Sequence, residues 1–480
     1  MASLTLGPLL LRPTTESFLR STVRLRSSRD SPAMPTPSAL QLTPRAAKNS
    51  PVRYPFLRSL IPFATLVASV LPAASAAPHN TITGRALPGL EAIDTAMLAL
   101  LEKHGSPGGQ LAVTYRGRLV LSHGYGFADR DIQAPVTPDS LSRIASLSKL
   151  ITAVAMLALV EEKKLDLDAR AFALLPHLTP LPPARAAKAD PRLTDITVRQ
   201  LLQHTGGWDR GASGDPMFKP AAIATATGTG APASTEAIIR HMLGEPLDFA
   251  PGTRYAYSNF GYAVLGRIVE RISGLPYADF VQARVFARAG ITRALLGRTA
   301  WEQRDPAELR YHEQRGASAV RSVLPTARAQ VPAPYGGFHL EAMDAHGQWV
   351  MSAADYVRFL ATLDGTRQPA LLTPASIALL TARPAPPLTQ DTATYYGLGT
   401  NVRPINGRAG TGANWWHSGS LAGTVTYSVR LASGWSWAAC FNSRPPTGDN
   451  FTGDIDRTIN AALRAVTPPP AGDLFTTVSP

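Results

Sequence analysis

The chain has 480 residues, 45% of them hydrophobic, with 47 Lys and Arg against 34 Asp and Glu. That length can bury a large core, as one two-lobed unit or two to three small domains, and the composition excludes a disordered or fibrous protein. The basic excess is no nucleic-acid footprint: the first 76 residues hold nine bases and two acids, Glu16 and Asp30, hence +7 of the formal +13, and the rest shows no basic stripe or block.

In chain order, the first feature is the apolar run Leu60 to Leu71, which follows Arg53 and Arg58 and precedes Ala74-Ser75-Ala76. These are the basic, apolar and small-residue zones of a secretory signal. Residues 1–76 are therefore expected to be a leader cleaved after Ala76, with Met34 a more ordinary start for it than Met1. The product is expected to be exported, either periplasmic or secreted. The run is short for a hydrocarbon core of about 30 Å, so membrane attachment is expected only if the leader stays uncleaved. The single cysteine, Cys440, lies in the apolar run Trp435 to Phe441 and reads as a buried strand residue.

A helical pattern from Leu90 to Leu101 comes next, then Gly109 to Tyr115 and Leu119 to His123 around the turn Arg116-Gly117-Arg118, which reads as a β-hairpin. Ser146 to Lys164 is apolar on nearly all sides and predicts a buried helix. Residues 177–194 are rich in Pro and Ala, and 211–235 in Gly, Ala, Thr and Ser, so both are expected to be long loops, as are 323–336 and 381–390. Helices are predicted at Val198 to Gln203, Thr235 to Leu243, Gly261 to Ile272 and Ala353 to Leu363. From Tyr395 the texture changes to short apolar segments at 395–402, 413–418, 423–431 and 435–442, which are strand signals, before a terminal helix at Ile455 to Val466. Strands at both ends with helices between predict an α+β fold: an antiparallel sheet built from the two termini, flanked by helices, with a mainly helical lobe inserted. A Pro-rich tail is placed at 466–480.

Three elements could carry chemistry. Among seven lysines only Lys149 has a serine three positions earlier, Ser146, and on a helix this spacing puts both on one face. A serine hydroxyl needs a base, and lysine serves only when its pKa is lowered, as burial does. A lysine snorkelling beside an N-terminal serine cap would look the same. Tyr257-Ser258-Asn259 is the only Y-x-N in the chain. Its tyrosine hydroxyl, held partly ionised beside a cationic lysine, could pass protons, and its asparagine could fix the lysine or a substrate carbonyl; a helix-capping Asn in an aromatic loop is the plainer alternative. His417-Ser418-Gly419-Ser420 lies on a strand-like segment whose edge donors could hold an oxyanion. His204-Thr205-Gly206 has the same form but ends a helical pattern, so its glycine reads as a helix stop.

In this order, separated by 111 and 160 residues, the elements resemble the S-x-x-K, Y-x-N and lysine- or histidine-led triplets of the penicillin-recognising serine hydrolases. That group includes penicillin-binding proteins, class C β-lactamases, D-alanyl-D-alanine peptidases and related esterases. Flanking segments are similar too: Gln200-Leu-Leu-Gln-His-Thr-Gly-Gly207, Phe249-Ala-Pro-Gly-Thr253, Gly261-Tyr-Ala-Val-Leu-Gly266 and His417-Ser-Gly-Ser-Leu-Ala-Gly-Thr424. The resemblance spans about residues 88–465, which it marks as the catalytic domain, and implies a β-lactamase/transpeptidase-like fold and an acyl-enzyme mechanism without metal or cofactor. Ser146 would be the nucleophile, Lys149 and Tyr257 would move its proton, Asn259 would orient lysine and substrate, and the Ser146 and Ser420 N–H groups would form the oxyanion hole. His312-Glu313 lacks the second histidine of H-E-x-x-H, and no G-x-S-x-G elbow occurs.

The departure is His417, where β-lactamases usually carry lysine. A histidine of ordinary pKa is mostly neutral at pH 7 and suits a carboxylate less. The leading expectation is an esterase or amide hydrolase acting on a small-molecule ester, amide or peptide. A D-alanyl-D-alanine carboxypeptidase or β-lactamase acting on cell-wall fragments or β-lactams is the second, and a non-catalytic sensor module the third. Tyr335-Gly-Gly-Phe338, Asp344-Ala-His-Gly347 with Trp349, and Trp208-Asp209-Arg210 are expected to be mainly structural.

Overall fold

Among the described residues, strands from the N-terminal and C-terminal parts meet in one antiparallel sheet of nine strands. This computed structural model describes residues 80–476 apart from 182–188, 315, 326–328, 386, 389–392 and 447–448; the expected leader, its cleavage point and Met34 lie outside the described residues. Across the sheet the strands run Ile82–Ala86, Arg118–Asp129, Gly108–Tyr115, Trp435–Phe441, Thr424–Arg430, Arg408–Leu421, Asn401–Ile405 and Tyr395–Tyr396, with Ala134–Pro135 added on Arg118–Asp129. The N- and C-terminal contributions join where Gly109 faces Phe441 and Tyr115 faces Trp435. This is the sheet the sequence pattern predicts.

Alternation sends neighbouring residues of each strand to opposite faces. Leu111, Val113, Val425, Trp437 and Ala439 cluster with Ile93 and Met97 of the helix Glu91–His104 and with Ile455 and Ile459 of the helix Phe451–Ala465. Ala112, Ala438 and Cys440 join the other cluster, with the helix Ser148–Glu161 and the inserted lobe. Burial pushes the Cys440 thiol up to about 12, as expected of an inert core thiol.

Between the two blocks of strands the chain is mainly helical, with Val198–Leu202, Thr235–Met242, Asn259–Ser273 and Ala353–Leu363 where periodicity predicts them. The 211–235 segment is not all loop. Pro220–Thr227 is a helix, started by Pro220 in its first turn and stopped by Gly228 in the left-handed region, with Ile223 and Ala224 buried. Residues 466–476 of the expected tail pack back on the body: Leu474 and Phe475 are buried, and the Asp473 carboxylate accepts from the Leu119 N–H and pairs with Arg367. No helix among the described residues is long and apolar enough to cross a membrane.

Candidate active site

Ser146 does not stand inside the long helix that its sequence setting predicts. It lies in a single 3-10 turn, Ala145–Leu147, and the α-helix begins at Ser148 and ends at Glu161. Ala145, just before it, has φ 47°, a left-handed conformation that costs a residue with a Cβ about 1 kcal/mol or more. The surroundings hold it there. Arg143 is fully buried; its backbone N–H donates to the Tyr311 hydroxyl at 2.7 Å and its guanidinium to the carbonyls of Pro334 and Arg298. Ile144 donates to the Trp349 carbonyl, and its own carbonyl accepts from Thr426 at 2.9 Å. The result is a half-buried Ser146 on a braced turn.

Lys149 is fully buried on the first turn of that helix. Its Nζ lies 2.7 Å from Asn259 Oδ1, 3.0 Å from the His346 carbonyl and 3.3 Å from Ser146 Oγ. Burial holds its pKa well below the ordinary lysine value, with Asp215 opposing the shift and Arg210 adding to it. Once deprotonated, the amine keeps two N–H groups for the Asn259 and His346 acceptors and can turn its lone pair to the Ser146 hydroxyl.

Tyr257 and Asn259 are set by a different element. Ser258 is the N-cap of the helix Asn259–Ser273, its hydroxyl accepting from Gly261, which leaves the Asn259 side chain free for Lys149. The Asn259 amide is oriented by Asp215, whose Oδ2 accepts from Nδ2 at 2.6 Å, so the amide oxygen faces the lysine. Tyr257 is half-buried, with Lys149 Nζ 4.8 Å from its ring centroid. Burial raises its pKa above the usual phenol value, while a hydrogen bond with Ser146 acts the other way. Desolvation thus favours a neutral Tyr257 hydroxyl, able to donate and accept, over the partly ionised form expected from the sequence.

The rival His204 motif proves to be part of the same assembly. His204 ends the helix Val198–Leu202 at φ 59°. Its carbonyl accepts from Ala256 and its Nδ1 from the Ser258 N–H at 3.2 Å, so it grips the segment carrying Tyr257 from both sides. Its ring centroid lies 4.3 Å from Tyr257 and 4.5 Å from Tyr396. Burial keeps His204 neutral, with the charge of Lys149 as the next cause.

The third element runs along the strand Arg408–Leu421. Its neighbour Asn401–Ile405 stops pairing with it at Trp416, so residues 417–421 form a strand edge on that side. Leu421 and Thr424 close a two-residue hairpin; alternation of the ladder then turns the Ser418 and Ser420 backbone groups toward that edge. The Ser418 carbonyl there accepts from His417 Nδ1 at 2.6 Å. Gly419 brings the edge against the serine turn: a Cβ on it would lie 2.6 Å from the Ile144 carbonyl, 3.0 Å from Ala145 Cβ, and against Thr426 Oγ1. The Ser420 N–H therefore reaches the vicinity of Ser146, where an oxyanion would need it. His417 is pushed down to about 3, by burial first and by Lys149 second. With its Nδ1 proton on the Ser418 carbonyl, its Nε2 accepts from the Tyr396 hydroxyl at 3.0 Å. The third element thus carries no cation.

The structure brings Ser146, Lys149, Tyr257, Asn259 and the 417–420 edge together. Sequence reasoning missed His204, Asp215, Tyr396 and the His346 carbonyl. Only His204 had a local signal, the repeated H-x-G form, and it was outweighed by the helix stop. The 335–349 stretch is structural in part, with Tyr335 and Phe338 rings around the Arg143 guanidinium, but it also supplies the carbonyl that holds Lys149.

A family model described as Beta-lactamase matches residues 93–460. Penicillin-binding protein 4 of Amycolatopsis lactamdurans is 28% identical over 393 residues, covering 77% of this chain and 89% of the relative. A D-aminopeptidase of Gluconobacter oxydans is 28% identical over 206 residues, 42% of this chain and only 35% of that protein. Among solved structures, EstCE1, described as a hydrolase with promiscuous acyltransferase activity, superposes with a TM-score of 0.59 at 20% identity, over 78% of this chain and 98% of that one; at that identity the likeness shows the fold.

Proposed function

The chain belongs to the beta-lactamase family, and from that premise we propose that this serine hydrolase works through an acyl-enzyme on Ser146 and takes small esters or amides as substrates. One observation carries the reading: a fully buried Lys149, its pKa lowered, stands 3.3 Å from Ser146 Oγ with its two N–H groups already committed. In the first step Ser146 Oγ bonds to the substrate carbonyl carbon and its proton passes to Lys149. The carbonyl oxygen becomes an oxyanion facing the Ser146 and Ser420 N–H groups. Asp215 favours the ammonium that forms. Tyr257, as a neutral hydroxyl hydrogen-bonded to Ser146, hands a proton to the leaving oxygen or nitrogen as its bond to carbon breaks, and is reprotonated from Lys149. Water then attacks the acyl-enzyme by the reverse relay, and Ser146 recovers its proton.

Ester or small-amide cleavage is the leading reading rather than β-lactamase action, because an uncharged His417 stands on the strand edge where β-lactamases usually carry a lysine. Intact Ser146, Lys149 and Tyr257 argue against a non-catalytic sensor. D-alanyl peptidase action is the second reading, supported by the penicillin-binding protein and D-aminopeptidase relatives. Export through cleavage after Ala76 is also part of the proposal, supported by the sequence of the leader, and N-terminal sequencing of the secreted protein tests it. The purified chain offered a p-nitrophenyl ester, a chromogenic cephalosporin and a D-Ala-D-Ala peptide separates the activities. Turnover of the ester that disappears in Ser146→Ala supports the reading; refusal of all three, together with refusal of a labelled penicillin, contradicts it.

A further inference from the structure

The loop after the His204 turn places Arg210 over Tyr257, its guanidinium carbon 4.7 Å from the ring centroid. Its charge acts on Lys149, His204, Tyr255 and Tyr257. Arg210 is exposed, and among the described residues no hydrogen bond or ion pair occupies its guanidinium. The acids nearby are already committed. Asp209 accepts from Arg254 and from the Gly211 N–H, both at 2.8 Å. Asp248 accepts from the Asp209 N–H at 2.7 Å and from Ser213 at 2.9 Å. Asp215 accepts from Asn259 at 2.6 Å and from the Met217 N–H at 3.1 Å. These bonds fix the loop and leave the arginine fork open to a ligand.

We propose that Arg210 is a carboxylate anchor for the leaving-group half of the substrate, an inference that rests on the acyl-enzyme reading above and names a substrate class for it. The leaving group departs beside Tyr257, which protonates it, so a carboxylate on that half comes within reach of a guanidinium packed on the Tyr257 ring. His417, whose ring centroid is 6.2 Å from that of Tyr257, cannot serve as this cation, since both its ring nitrogens are bonded within the protein. Arginine supplies from a lobe loop the positive charge that the strand edge lacks, and its planar fork suits bidentate carboxylate binding. The half-buried Asp215 carries the opposite charge nearby, but its oxygens are engaged, so an ammonium-bearing substrate is the disfavoured alternative.

The test compares 3-acetoxybenzoate with its uncharged methyl ester, which share the acetyl group and differ in the leaving-group carboxylate. In the wild type the anionic ester should have the higher kcat/KM, and added salt should lower that advantage. Arg210→Ala should reduce the anionic-to-neutral ratio of kcat/KM by about tenfold, mostly through KM, and Arg210→Lys should fall between. An unchanged ratio, or an equal loss on both esters, overturns the anchor, the latter because Arg210 would then act only through Tyr257. Failure of the acyl-enzyme reading shows differently: neither ester would be turned over, or turnover would survive Ser146→Ala, and the anchor falls with it.

Discussion

Replacing Lys149 by methionine separates the chemical role of the amine from its cost to the fold. The lysine is fully buried, with burial as the first cause of its lowered pKa, Asp215 opposing and Arg210 adding. Between that lowered value and the unfolded value of about 10.4, the unfolded chain binds a proton that the folded chain does not. Stability therefore rises with pH across this window, by up to about 1.4 kcal/mol per pH unit. Above the window the contribution is level and most favourable; it is lost as pH falls through the window and is level again below the folded value. Lys149→Met deletes this term while keeping an unbranched apolar chain in the cavity. It also leaves Asn259 Oδ1 and the His346 carbonyl without their donor, which costs about 1 to 3 kcal/mol each where no water enters, so the slope rather than the absolute stability is diagnostic. Urea unfolding of both proteins from about pH 6 to about pH 10 should show the wild type gaining stability relative to the variant as pH rises. Esterase activity of the variant should fall by about 10²- to 10⁴-fold. Parallel stability curves would mean that Lys149 keeps its proton in the fold, and the base assignment would be refuted.

Asp215→Asn should move the acidic limb of the kcat/KM profile to lower pH, because the Asp215 carboxylate raises the Lys149 pKa and its removal leaves the amine unprotonated further down; a shift to higher pH would contradict the assignment. Gly419→Ala should cost activity by about 10²-fold and stability by about 1 to 3 kcal/mol, measured by ester kinetics and thermal melting, because its Cβ meets the Ile144 carbonyl at 2.6 Å. Asp364→Ala should destabilise the fold by about 3 to 5 kcal/mol in urea melts. It strands Arg430, which now pairs with Asp364 at 2.8 Å where both side chains are nearly inaccessible.

Much of this was legible because the signals are local. Alternating apolar residues in 424–441 and 109–123 announce the strands, and the period of Ala353–Leu363 announces its helix. Ser146, Lys149, Tyr257, Asn259 and His417 carry their chemistry in short motifs, and their meeting was implied by the resemblance of those motifs, in that order, to the penicillin-recognising serine hydrolases. The helix Pro220–Thr227 was hidden by small residues that resemble linker composition, although Pro220 and Gly228 are proper start and stop signals. Tyr277–Val281 and its continuation to Ala289 follow a helical period through Tyr277, Phe280, Val281 and Val285, which the reading passed over between Pro276 and Gly290. Asp215 and Tyr396 had no such pattern. Each becomes functional only through a contact made across the fold, with Asn259 44 residues away and His417 21 residues away. The charge of Tyr257 likewise depends on desolvation, which the spacing of motifs does not reveal.

The central claim is that Ser146 carries the acyl group. Rapid acid quenching of the protein during turnover of a p-nitrophenyl ester, followed by peptide mass spectrometry, tests it most directly. The peptide containing Ser146 should gain the mass of the acyl group less the hydrogen it replaces, in step with a p-nitrophenol burst, and the gain should be absent from Ser146→Ala. An acyl group on another residue, or undiminished turnover by Ser146→Ala, would contradict it.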